Sequence, residues 1–442
     1  MSCSIFRGAK LISNISQFAG NDYRTKSSGL DKNFVLVILM LAFIVIVIPN
    51  TVRFISIPLF FFAALFPLLS SGRSAINSEF LLIWIFTTVI TFLYVGIGVL
   101  KGYLDSVPWT IYVYVISPML WLLVCSKLVK LYSLTTIIRA MIFFGLLGGV
   151  SVFGFYFIFL NYGAESLTWL IATPNLNYEN GRAHATMHVF GSLMFISGGF
   201  FAAPHIIKGR LATIIVAIVF LAAAFISGRA ALMLSLPLGL LMRFVVSMCF
   251  RRNDETGKQH TAATLLVFVI VMPIGITVAQ YYELDLAVIV GDFIDKIAMG
   301  GGDERVDQAI ALWDGIKDSW GLGDGHGVGV SVIRNDDDPW RYELLWLATI
   351  FRVGFIGAII YAIPAGLIII RYARLLSKRK NSPPIDFIFA GFLASFIGSV
   401  TNPYYESFDF QWMLIFPYVC LMFYGKLLEN SSFPYSELDE KE

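Results

Sequence analysis

The sequence predicts an all-α fold: a polytopic integral membrane protein of about twelve transmembrane helices, with one long external loop carrying amphipathic helices. Three observations predict it. Hydrophobic residues make up 57% of the 442-residue chain and charged residues only 14%, against about 25% charged in a soluble domain. The apolar residues gather in blocks near the length, about 20 residues, that a helix needs to cross a hydrocarbon core. Lys and Arg are also distributed unequally between alternate connecting segments, as the positive-inside rule requires.

Other compositional features narrow the function. A net charge of +2 gives no basic face for nucleic acid. The four cysteines, Cys3, Cys125, Cys249 and Cys420, lie in the amino-terminal tail or in and beside apolar blocks, and no pair suggests a disulfide or metal site. Residues 1–33 are polar and lack the short apolar core and small-residue cleavage site of a signal peptide, so they read as a cytoplasmic tail.

Taken in order, the spans fall at about 34–50, 55–71, 80–99, 107–125, 134–160, 188–205, 211–226, 230–250, 261–280, 345–370, 385–400 and 411–425. The resulting divisions are a tail at 1–33, nine helices over 34–280, the external loop at 281–344, three helices over 345–425 and a tail at 426–442. With the amino terminus inside, the inner segments hold 20 Lys/Arg and the short outer ones 4: Arg53, Lys101, Arg182 and Arg229. Arg53 and Lys101 read as side chains snorkelling to headgroups. Arg139, Arg243 and Arg352 fall within spans, the first two near the inner face. No internal repeat relates the first six spans to the last six, which counts against a two-half transporter.

Four polar stretches carry candidate chemistry. In the outer segment 161–187, Arg182 and His184 lie close to His188, but His-x-x-x-His without a third ligand is a weak metal signal, and none is expected. The turn Ser227-Gly228-Arg229 is so short that Arg229 is held at the outer membrane surface, placed either for a phosphate or as an ordinary snorkelling arginine. In the long loop, Val306, Ile310, Trp313, Ile316 or Lys317, and Trp320 recur at helical spacing, and Asp303 is a natural N-cap that places Arg305 in the first turn. A guanidinium there suits an anion, although pairing with Asp303 or Asp307 is the plainer reading. The Gly-rich run Gly321 to Gly329 follows, without the Lys-Ser/Thr of a nucleotide P-loop, and Asp336 to Asp338 reads as a solvated rim. Glu343 then re-enters the bilayer at interface depth, where one-sided desolvation suits a base.

The order of these features resembles the O-antigen polymerase (Wzy) and O-antigen ligase superfamily, membrane glycosyltransferases of the GT-C type. The resemblance covers about residues 180 to 360: a Gly-Arg turn at Arg229, a long periplasmic loop, Arg305 opening a helix with Trp313, Gly321-x-Gly323, and Glu343 with Gly354 eleven residues on. Ligases typically carry His-Asn where this chain has Glu343-Leu344, which favours a polymerase. An Arg-x10-Gly pattern is met only approximately, by Arg182 to Gly191 and Arg305 to Gly315.

The resemblance implies a polysaccharide polymerase of the bacterial inner membrane, multi-pass, with both termini cytoplasmic. Its donor and acceptor would be glycans on undecaprenyl pyrophosphate, and its partners a chain-length regulator and a flippase. Arg305, Arg229 and Arg182 would hold the pyrophosphate. Glu343 would be the catalytic base on the acceptor hydroxyl. Gly321, Gly323 and His326 would line the substrate loop. No metal or cofactor is expected, and one base without an enzyme nucleophile implies inversion. An O-antigen ligase, another polysaccharide polymerase, and a lipid-linked oligosaccharide flippase are the competing readings.

Overall fold

The structure is a computed structural model that describes residues 29–49, 52–69, 78–163, 166, 176–179, 182–185, 190–227, 230–250, 303–333, 338–378 and 382–430. Among the described residues there are twelve α-helices, numbered in chain order. The first five are α1 Gly29–Val47, α2 Arg53–Leu69, α3 Ser78–Leu100, α4 Val107–Leu131 and α5 Leu134–Tyr162. Then come α6 Phe190–Ala202, α7 Arg210–Ser227 and α8 Ala230–Phe250. The carboxy-terminal part holds α9 Asp303–Asp318, α10 Leu345–Ser377, α11 Pro383–Gly398 and α12 Phe408–Asn430. Among the described residues, α3, α4, α5, α8 and α10 are long and apolar enough to cross a membrane. Their outer faces fit that environment: Leu82, Phe86, Val89 and Leu93 on α3 are all more than half exposed, a density of exposed apolar side chains that water does not tolerate.

Helices occur at every predicted span with described residues, and the predicted span 261–280 lies outside them. Two details differ. The helix α1 begins at Gly29, inside the stretch read as tail, and its first-turn Asp31 meets Lys127 Nζ at 2.8 Å. The fold is all-α as expected, with the addition of one hairpin of β1 Leu176–Glu179 and β2 Arg182–Ala185, antiparallel with Glu179 opposite Arg182. Its sequence signal is Asn180-Gly181 between the strands, the dipeptide most typical of two-residue hairpin connections.

The helix α6 is the centre of the bundle, buried at every residue. Its 13 residues span about 20 Å at 1.5 Å per residue, short of the roughly 30 Å hydrocarbon core. Small residues let its neighbours approach closely. Side chains at Gly199 or Gly391 would meet Phe387 and Phe195 backbone oxygens at 2.6 and 2.5 Å. Arg139 Nε donates to the Ile206 carbonyl at 3.0 Å just beyond this helix, and Arg243 Nη1 reaches the Ala202 carbonyl at 3.4 Å. Cations there suit the exposed carbonyls and negative end of the helix.

Helix α10 is broken. Gly354 takes φ 66°, ψ 177° within it, so Phe355 N–H and the Phe351 and Arg352 carbonyls lose their i, i−4 partners. The Gly-rich run supplies replacements. Asp324 N–H donates to Phe351 O at 2.8 Å, Gly325 N–H to Arg352 O at 2.9 Å, and Gly321 O accepts from Phe355 N–H at 3.0 Å. His326 N–H reaches Tyr94 O on α3 at 2.9 Å, and Lys101 pairs with Asp324. The run is thus a plug wedged between α3 and α10. Gly323, at φ 92°, lies against the backbone of Val353 and Gly354, where no side chain fits.

Candidate functional site

The site lies where the plug, α9 and the start of α10 meet. The helix α9 begins at Asp303 itself rather than after it, and Arg305 falls in its first turn as expected. Leu312 and Ile316 on one face of α9 pack with Tyr342, Ala348 and Phe351. The Tyr342 hydroxyl accepts from Val330 N–H at 2.6 Å. This cluster fixes α9 against the entry to α10 and brings together two residues separated by 38 positions. Arg305 Nε donates to Glu343 Oε2, each side chain more than four-fifths buried. The opposite face of α9, with Val306, Ile310 and Trp313, is exposed. Of the predicted apolar stripe, Ile316 alone turns inward strongly, and Trp320 is 89% exposed at the helix end. There Trp320 adopts φ 56°, in the place a glycine usually takes in this helix-ending motif. Gly321 N–H reaches back to Ile316 O at 2.8 Å and Trp320 N–H to Lys317 O at 2.9 Å.

Beneath this pair lies a buried polar network that the sequence reading did not assemble. Arg352, on α10, donates from Nη1 to Glu406 and from Nη2 to the Trp340 carbonyl at 2.6 Å. Glu406 sits in a single 3-10 turn, Tyr404–Glu406, before α12. Its Oε1 also accepts from the Tyr114 hydroxyl of α4 at 2.7 Å. Both side chains of the ion pair are 4% exposed. Arg352 therefore joins three remote segments, one of them only three residues from Glu343. The available signal was a lone arginine in an apolar span, a functional-site hypothesis by default.

His326 extends the network. Its Nε2 lies 3.2 Å from the Tyr361 hydroxyl, which in turn is 2.7 Å from Thr91 Oγ1, and its ring packs 5.0 Å from that of Tyr114. Burial, and then the Arg352 guanidinium, push His326 down from 6.5 to about 3, so the ring is neutral. The stability consequence has a definite sign. Between about 3 and 6.5 the unfolded chain binds a proton that the native ring does not, so this contribution is complete above 6.5 and declines on acidification. Thermal melts in detergent should shift downward from pH 7 to pH 5, and His326→Gln should flatten that dependence.

Of the remaining candidates, Arg182 opens β2, its side chain outside the described set, and His188 and Arg229 also lie outside the described residues. The chain beside Arg229 is placed: Ala231 lies near Gly398 and Met194, while Gly191 contacts Tyr404 and Phe410. The starts of α6, α8 and α12 thus meet at the end of α11. Asp409, fully buried in the first turn of α12, belongs to this region and was not singled out from sequence. Gly321, Gly323 and His326 are in the plug, with the amide of His326 committed to Tyr94 and the carbonyl of Gly321 to Phe355. Among the described residues no three His, Cys, Asp or Glu side chains cluster as metal ligands would.

No family model matches the chain, and no curated protein is significantly similar to it.

Proposed function

We propose that the chain is a bacterial inner-membrane glycosyltransferase of the O-antigen polymerase type. In this reading it joins oligosaccharide repeat units carried on undecaprenyl pyrophosphate, by metal-independent inverting transfer at the periplasmic face. The observation that carries the reading is the Arg305–Glu343 pair. A cation and a carboxylate, singled out separately for phosphate binding and for base catalysis, meet in a partly dried position at one end of a helical membrane bundle.

The pair suggests how binding and chemistry are linked. An arriving pyrophosphate offers Arg305 a more highly charged partner than a carboxylate, and two oxygens for its planar fork. Transfer of the guanidinium to the donor frees Glu343 to accept the proton of the acceptor hydroxyl as that oxygen attacks the anomeric carbon. The pyrophosphate leaves with its charge held by Arg305, together with Arg229 and Arg182. The Gly-rich plug shapes this site from below, since its amides are engaged by α3 and α10.

The test is a lipopolysaccharide gel from a strain deleted for this gene and complemented with variants. Core bearing a single repeat unit, with the ladder restored by the wild-type gene, supports the polymerase. Bare core with polymer retained on the lipid carrier identifies a ligase, and an unchanged ladder removes both. Arg305→Ala should abolish the ladder with protein still in the membrane, and full activity in Arg305→Lys would exclude bidentate binding. Glu343→Gln should lower turnover by about 10²–10⁴-fold while leaving donor affinity nearly intact.

A further inference from the structure

A cavity of about 130 Å³ lies inside the bundle between α3, α4, α10 and α12. Its walls are chiefly aromatic and aliphatic, among them Phe80, Ile83, Leu345, Leu414 and Ile415. Along α12 the lining runs from Gln411 to Tyr418, about 10 Å of helix, so the cavity is a slot along the bundle axis.

Of the polar groups on its walls the Tyr418 hydroxyl is buried without a hydrogen-bond partner among the described residues, and the others are engaged within the protein. Thr87 and Thr349 donate to the Trp84 and Leu345 carbonyls at 3.0 and 2.7 Å. Gln411 donates to the Val113 and Tyr405 carbonyls and accepts from Ser117. Tyr361 is bonded to Thr91, and the Tyr114 hydroxyl and Arg352 both serve Glu406. The Trp84 and Trp346 indoles donate to Val115 O and Ser399 Oγ. Water in such a cavity needs two to four polar partners, and a dry cavity of about 150 Å³ binds benzene. The slot therefore suits a short run of hydrocarbon, about one isoprene unit or a few methylenes.

Its position says whose hydrocarbon. The slot is polar where Glu406 and Tyr114 line it, and Arg352 ties Glu406 to Trp340, on the segment that carries Glu343 to Arg305. We propose that the slot takes the head-proximal hydrocarbon of an anionic lipid whose headgroup lies at Arg305. The assignment of the headgroup rests on the anion-binding reading of Arg305; the apolar character of the slot does not.

The experiment is photolabelling of the full-length protein in nanodiscs. Two probes are used, phosphatidylglycerol with a diazirine in its acyl chain and geranylgeranyl phosphate with a diazirine in its isoprenoid chain, and labelled residues are mapped by mass spectrometry. We expect label on Ile83, Leu414 and Ile415, falling at least tenfold in Leu414→Trp, while label on the outward-facing Leu82 and Phe86 is unchanged. Labelling by the isoprenyl probe alone points to a polyprenyl carrier, and labelling by both to an unselective anionic-lipid site. Outer-face label without slot label, or slot label that Leu414→Trp leaves unchanged, overturns the proposal. If Leu414→Trp does not fold, Ile415→Phe and competition by unlabelled geranylgeranyl phosphate provide the same comparison. Labelling is read without turnover, so a chain with no polymerase activity that still labels the slot removes the enzyme reading and leaves the lipid site standing.

Discussion

Glu406→Gln destabilises the purified protein by about 3–5 kcal/mol, the magnitude found when one partner of a buried ion pair is removed. The substitution preserves shape and a carbonyl for the Tyr114 hydroxyl but leaves the Arg352 guanidinium unbalanced at 4% exposure. Among the described residues nothing else near Arg352 restores the charge: its other contacts are the Trp340 carbonyl and the Tyr114 hydroxyl, and its Nε has no acceptor there. Arg352→Met should cost a comparable amount, because it strands the carboxylate instead. The double variant should recover most of the loss, since an uncharged pair avoids the desolvation that the ions suffer. A detergent-melt double-mutant cycle measures all three. Additive losses would show that the two charges do not sense each other.

Gly98→Ala should be as damaging for a purely steric reason. A β-carbon at Gly98 would overlap the His326 carbonyl oxygen, so backbone meets backbone and no rotamer relieves the contact. The plug must withdraw from α3, and the exchanged hydrogen bonds at the α10 break are exposed to the same displacement. Each buried group left without a partner costs about 1–3 kcal/mol, so losing two or three of them removes much of the margin of an ordinary domain. Gly96→Ala is the control. Two residues earlier on the same helix, its β-carbon meets nothing within 4 Å, and relief of helix-interior glycine should be neutral or stabilising by about 0.5–1 kcal/mol. Similar melting temperatures for the two variants would mean that the plug is not held as described.

The helices were legible because hydrocarbon-length apolar blocks leave few alternatives, and Arg305 with Glu343 because each stands out in such a background. What was not legible depended on partners far along the chain. Arg352 and Glu406 are 54 residues apart, so a lone arginine in an apolar span was visible but its partner was not. The glycines from Gly321 to Gly327 stood out as a Gly-rich turn, but their conformation answers to a helix break at Gly354 that sequence does not reveal. On α9 the helical period was correct, but periodicity cannot separate a face turned to protein from one turned to lipid, which is equally apolar. Leu312 took the inner place and Val306, Ile310 and Trp313 the outer.

The plug also sets an order of events during synthesis. Tyr94 and the Leu322 carbonyl it binds are 228 residues apart. At about 5–20 residues per second, at least some ten seconds separate the translation of one from the other. Throughout that interval the seat for the loop on α3 is unfilled. The break in α10 emerges later still, about thirty residues after the plug that will satisfy it. The plug therefore docks between two surfaces, on α3 and α10, that leave the ribosome at different times.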